Sequence, residues 1–263
     1  AGSYRGEKPE RWKRLCRWFM RRANLTIVND QLRIRLQRDY AQLKPESKLV
    51  VYPGCFVSPP APSNRERVRQ GWGIDKGSSV LAFSGIGDLM AGMDLALNSL
   101  DRFENLNFVS QPLGMTDLTR FLVSNHRHAD RIFIEGSRLG WRDAWSQAAA
   151  ADIGVAMYKS SAPQFQLMGI SSNRLCMFLA MGVPVIVSKQ ASFDFLDEWQ
   201  CGRQVETQQE FNAAVESILA DLAAYKHNAL RCAKEYIDTD GKFSELTLAV
   251  EEIVSKRNRN NIV

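Results

Sequence analysis

The chain has 263 residues, 45% hydrophobic and 24% charged, a balance that supplies a globular core and excludes wholesale disorder. No run approaches the roughly 18 uncharged apolar residues of a membrane span, and the opening Ala1-Gly2-Ser3 leads into no apolar stretch, so neither a transmembrane helix nor a signal peptide is expected. The net charge of +5 belongs to one end: residues 1–44 carry 12 Lys and Arg against 4 Asp and Glu, and the remainder carries 22 against 25.

Residues 9–22 have a helical pattern. Trp12, Leu15, Cys16 and Phe19 share one face, while Arg11, Lys13, Arg14, Arg17, Arg21 and Arg22 crowd the rest. Two readings fit: a domain helix that packs one face, or an interfacial helix for an anionic membrane surface. Nucleic acid is not expected as a partner, because no recognised binding module accompanies the basic residues. A strand over 25–28, a helix over 30–43 and a strand over 48–52 follow. Two strands do not make a stable sheet alone, so this segment must lean on something else. The proline-rich stretch at 58–66 reads as a stiff linker.

Beyond it, short runs rich in Val, Ile and Phe at 80–84, 106–110, 131–135, 153–157 and 183–188 read as strands. Helical patterns fill the gaps at 88–101, 115–125, 140–151 and 172–182, with more from 192 onward. Repeated β-α-β units with such crossovers predict an α/β fold, a doubly wound parallel sheet. Ligands bind such sheets at the carboxyl ends of the strands, here the loops at 84–92, 110–115, 135–139 and 158–173.

The five cysteines (Cys16, Cys55, Cys176, Cys201, Cys232) are odd in number and scattered, with no CxxC. That pattern predicts buried thiols in a reducing compartment, not disulfides or zinc ligation. His126, His128 and His227 lack a convergent third ligand, so no metal site is expected.

The most informative stretch is 169–187, GISSNRLCMFLAMGVPVIV. Ser171 or Ser172 is a natural N-cap, residues 173–181 form a short helix, and Gly182 suits the left-handed position that ends it. A helix start at the ligand edge of a parallel sheet presents free N–H groups to an anion. Arg174 adds a cation suited to phosphate. Either this is a diphosphate seat or it is a capped helix with one surface Arg. Gly85 and Gly87 do not make a dinucleotide fingerprint, because the third glycine position falls on Met90, and no nicotinamide cofactor is expected.

Residues 172–187 resemble the S-N-K-L-x-E-x-x-A-x-G-x-P-V-I motif of retaining GT-B glycosyltransferases of family 4. Three further segments resemble that family in the same order. Residues 131–158 (RIFIEGSRLGWRDAWSQAAAADIGVAMY) are similar to its V-x-F-x-G … L-Y-x-x-A-D-V-x-V block. Residues 85–94 match the length and both glycines of its G-R-x-x-x-x-K-G-x-D loop. Residues 23–55 (ANLTIVND … KLVVYPGC) resemble the end of its N-terminal domain.

The resemblance implies a Rossmann-like GT-B C-terminal lobe at 67–242, a partial N-terminal acceptor-lobe segment at 1–57, and a C-terminal helix and tail at 243–263. It implies transfer of a sugar from a UDP- or GDP-linked donor to a glycan or lipid-linked acceptor, with retention of configuration and no metal or cofactor. The setting it implies is bacterial surface polysaccharide synthesis, in the cytoplasm or at the inner face of the membrane. The diphosphate would lie on Arg174 and the Ser172, Asn173 and Leu175 amides, with Gly85 and Gly87 letting backbone approach. The base would lie against Glu135, Gly136 and Ser137. No residue is assigned as general base or nucleophile, and this chain alone is expected to be incomplete for turnover.

The departures are as specific. Where the family's first loop supplies an Arg and a Lys, this chain has Ile86 and Ala91; Met177 stands where a Glu holds the ribose; the other acidic position falls on Gly169. Three alternatives follow: the first loop aligns differently; Lys159, Lys189 or Arg138 compensates; or the lobe is a non-catalytic binding module.

Overall fold

A computed structural model describes residues 10–54, 65–135, 140–160 and 162–260, apart from the side chains of 112, 113, 141, 163, 164 and 257–260. In chain order the elements are α1 (Glu10–Arg22), β1 (Thr26–Val28), α2 (Leu32–Ala41), β2 (Leu49–Val51), α3 (Arg65–Gly71), β3 (Ser79–Gly87), α4 (Met93–Ser99) and β4 (Leu106–Met115). Then come α5 (Asp117–Ser124), β5 (Ile132–Ile134), α6 (Trp141–Ala149), β6 (Ile153–Val155), α7 (Pro163–Gln166), α8 (Asn173–Ala180) and β7 (Val185–Ser188). The last are α9 (Phe195–Glu198), β8 (Gly202–Val205), α10 (Gln208–Ala220), α11 (Leu222–Cys232) and α12 (Thr239–Asn260).

Six strands form one parallel sheet in the order β5-β4-β3-β6-β7-β8. Counted within that sheet, the order is third, second, first, fourth, fifth, sixth, the doubly wound arrangement whose direction reverses between β3 and β6. Successive strand residues feed opposite faces. Val80, Ala82, Val185 and Val187 join one apolar cluster with Leu175, Phe178 and Leu179 of α8. Leu81, Phe83, Ile153, Val155 and Ile186 join the other, with Phe211, Val215 and Ile218 of α10. Gly154 is the tight point, because a Cβ there would run into the Phe178 ring and hold α8 off the sheet.

Of the expected loops, 84–92 begins as strand and 110–115 is strand throughout. β3 runs on to Gly87 and β4 to Met115, still paired, with a register shift between Gly85 and Ile86. Gly85 absorbs that bulge at φ +116°, a conformation that favours glycine. β8 has no counterpart among the strands read from the sequence: its centre is Arg203-Gln204, so an apolar run never signals it. The expectation of buried thiols is corrected at Cys16, which is exposed because α1 buries none of its residues; Cys176, Cys201 and Cys232 are buried. Cys55 and most of the 58–66 linker lie outside the described residues.

β1 and β2 pair in parallel as a separate two-stranded sheet. This segment docks beside the start of α8. The Ile170 N–H donates to Asp30 Oδ2 at 3.0 Å, the Gly54 N–H to the Ile170 carbonyl at 2.8 Å, and Arg33 Nε to the Leu167 carbonyl at 2.7 Å. α12, longer than the helix expected over 243–255, lies against β2: Phe243 meets the Tyr52 ring edge-on and Glu252 pairs with Lys48.

Candidate nucleotide site

The chain reversal between β3 and β6 opens a crevice above their carboxyl ends, and a cavity of about 250 Å³ lies there. Gly85, Ile86, Asp88, Met90 and Ala91 form one wall; Tyr158, Lys159, Ser160, Phe165 and Arg174 form the other.

Arg174 is the centre of the site. It projects from the first turn of α8, and its guanidinium carbon stands 4.9 Å from the centroids of both the Phe83 and Tyr158 rings. Over these two π faces the cation is held without a neutralising carboxylate among the described residues. Nη2 donates to the Met157 carbonyl at 3.2 Å, but the buried Nη1 has no hydrogen-bond partner among the described residues. Nη1 faces Gly85, where a Cβ would sit 3.7 Å away. A buried unpartnered donor is costly, so its natural complement is an anion reaching over that glycine.

Ser172 caps α8, and its Oγ accepts the Leu175 N–H at 3.1 Å. The same oxygen is 2.6 Å from the Tyr158 hydroxyl, which fixes the ring that carries Arg174. This capping changes the expected amide set. The Leu175 N–H is spent inside the protein and Leu175 is core, so the first-turn donors left by helix geometry are those of Asn173 and Arg174. Asn173 is exposed next to Gly54, whereas Ser172 is buried.

The remaining expected residues divide as follows. Gly85 and Arg174 line the cavity together; Gly87 lies just below, packed on Met115. Glu135 directly follows β5, its N–H bonded to the Ser110 carbonyl and its carboxylate 3.4 Å from Gln147 Nε2. Gly136, Ser137 and Arg138 lie outside the described residues. Met177 departs from the ribose position assigned to it: it is buried in the apolar cluster under α8, packed with Leu175, Phe178 and Leu179. Sequence reading overlooked Phe83 and Tyr158. The available signal was an aromatic near the end of the 80–84 run and another just past the 153–157 run, the two runs that flank the chain reversal.

Of the three proposed compensating cations, Lys159 lines this cavity, and Lys189 lines an adjoining one of about 420 Å³. No group of His, Cys, Asp and Glu among the described residues is arranged to hold a metal.

This is a doubly wound lobe with a guanidinium poised over its crevice. No model of a known protein family matches the chain, and no curated protein matches it in sequence. Solved structures do match it in fold. WaaG, a glycosyltransferase involved in lipopolysaccharide biosynthesis, is 18% identical at a TM-score of 0.63, covering 83% of this chain and 59% of WaaG. Sucrose-phosphate synthase from Thermosynechococcus elongatus is 15% identical at 0.71, covering 97% of this chain and 65% of the synthase. HepE of Anabaena, solved with UDP, is 15% identical at 0.72, covering 94% of this chain and 69% of HepE. The fold is that of the GT-B glycosyltransferases, and the chain spans about three-fifths of the length of the first two.

Proposed function

We propose that this chain is the nucleotide-sugar-binding lobe of a retaining, family-4-like glycosyltransferase, taking a UDP- or GDP-linked sugar for transfer to a glycan or lipid-linked acceptor. The observation that carries this reading is the Arg174 guanidinium, held against the Phe83 and Tyr158 rings with Nη1 facing Gly85 and without a hydrogen-bond partner among the described residues. In glycosyl transfer the departing nucleoside diphosphate gains negative charge, and a pre-placed guanidinium stabilises that charge without reorganising. The fold shared with WaaG and with HepE, which was solved with UDP, supports a sugar-nucleotide donor; surface polysaccharide assembly is the setting we propose for it. Residues 26–54 are then the edge of an acceptor lobe, docked beside the donor seat through Asp30 and Gly54.

Titration calorimetry of UDP and GDP tests this. Saturable binding is expected, weakened about 100-fold in Arg174→Ala, the equivalent of one lost charge-assisted contact. Absence of heat and of any melting shift with either nucleotide at millimolar concentration would overturn it.

A second reading, a lobe that binds without catalysing, is favoured by Ile86 and Ala91, which line the cavity with apolar groups. It predicts nucleotide-sugar binding with no release of UDP or GDP in the presence of the acceptor lobe.

The membrane contact proposed for α1 rests on Trp12, Trp18 and Phe19, which are 50%, 47% and 59% exposed beside its arginines. No helix among the described residues is long and apolar enough to cross a membrane, so the contact would be peripheral. Co-sedimentation with phosphatidylglycerol vesicles, lost when all three aromatics are changed to serine, is the expected result.

A further inference from the structure

A nucleoside diphosphate brings two phosphates, and Arg174 supplies one guanidinium. The second cation on the same cavity is Lys159. It directly follows Tyr158, whose ring supports Arg174, so both cations belong to one wall. Its backbone N–H donates to the Met90 carbonyl at 2.8 Å, which fixes the lysine against the opposite wall. Its Nζ lies 3.1 and 3.2 Å from the two oxygens of Asp94 on α4. The two side chains are 27% and 33% exposed, so water reaches the pair. The carboxylate that lines the cavity, Asp88, is engaged in accepting the Ala91 N–H at 2.7 Å.

Resting on the sugar-nucleotide reading above, we propose that Lys159 is the second cation of the diphosphate seat. It exchanges Asp94 for the phosphate farther from the nucleoside when a nucleoside diphosphate enters. A part-exposed ion pair contributes little to stability and is readily given up. A terminal phosphate offers more charge and more acceptor oxygens than a carboxylate, so the exchange favours the ligand. Lys159 also borders the adjoining cavity, so its ammonium has room to swing away from Asp94. The charge missing at Ala91 on one wall is thus restored from the other. The consequence is selectivity: Arg174 serves any nucleotide phosphate, while Lys159 separates diphosphates from monophosphates.

The test measures dissociation constants of UDP, UMP, GDP and GMP for the wild-type chain and for Lys159→Ala, Lys159→Arg, Asp94→Asn and Arg174→Ala, with circular dichroism confirming that each variant folds. Lys159→Ala is expected to weaken the diphosphates roughly 10- to 100-fold and to leave the monophosphates unchanged. Lys159→Arg should recover most of the loss, and Asp94→Asn should not weaken any nucleotide. If Lys159→Ala shifts mono- and diphosphates equally, or shifts neither while Arg174→Ala weakens both, the role of Lys159 is refuted and the donor site stands. If the wild-type chain binds none of the four, both fall together.

Discussion

The two ends of β6 carry positive charge in opposite ways. At the amino end, Asp152 is buried and gathers Arg65, Arg69 and Lys226 around one carboxylate. Burial pushes its pKa up, but Arg65, Lys226 and Arg69 together outweigh this and hold it below the ordinary 3.8. Those cations are consumed by the fold. At the carboxyl end, Arg174 is held by two aromatic faces and one carbonyl, with Nη1 unmatched among the described residues. One strand thus ends in a closed electrostatic joint and, a few residues past its other end, in an open one. The open one lies at the crevice, where doubly wound sheets take their ligands.

Substitutions at the two ends should separate stability from binding. The largest stability effect is expected at Asp152→Asn, which leaves buried guanidinium charge uncompensated and should cost about 3 kcal/mol in urea unfolding. The nucleotide affinity of the folded protein should not change. A fall in affinity equal to that of Arg174→Ala would erase the distinction. Because the folded pKa of Asp152 is depressed, its contribution is present above pH 3.8 and lost as pH falls through the folded value, a slope that Asp152→Asn should flatten.

Arg174→Lys comes next. It keeps the charge but gives up the planar fork that stacks between Phe83 and Tyr158, and should weaken nucleotide binding about 10-fold with a smaller change in melting than Asp152→Asn. Ser172→Ala removes both the helix cap and the partner of the Tyr158 hydroxyl, and should cost about 1 kcal/mol by urea unfolding. The smallest effect is expected at Asp30, whose pKa burial raises despite its bonds to Leu32 and Ile170. Its contribution is fully present below pH 3.8 and declines as pH rises through the folded value, opposite in sign to Asp152. Unfolding across that window should show the decline in the wild type and not in Asp30→Asn.

Much of this was legible in residue order. Alternating apolar runs located β3 to β7, and Ser172 and Gly182 bracketed α8 as cap and left-handed terminator, the latter at φ +70°. Local chemistry at helix ends is written in neighbouring residues, so it reads well. β8 did not, because a polar-centred edge strand carries no apolar period. The long β3–β4 ribbon did not either, because Gly85-Ile86-Gly87 reads as a turn until its partner strand is known. Arg174 could be named, but its direction could not: that depends on Phe83 and Tyr158, which only the sheet order brings to one guanidinium. Lys159 stood level with Lys189 and Arg138 in sequence, and its place on the cavity wall separates it from Lys189.

The most direct test is a crystal structure of the chain with bound UDP or GDP. The account predicts a diphosphate oxygen over Gly85, about 3 Å from Arg174 Nη1, with the nucleoside leaving toward the end of β5. A nucleotide held elsewhere on the lobe, with Nη1 still unmatched, would contradict it.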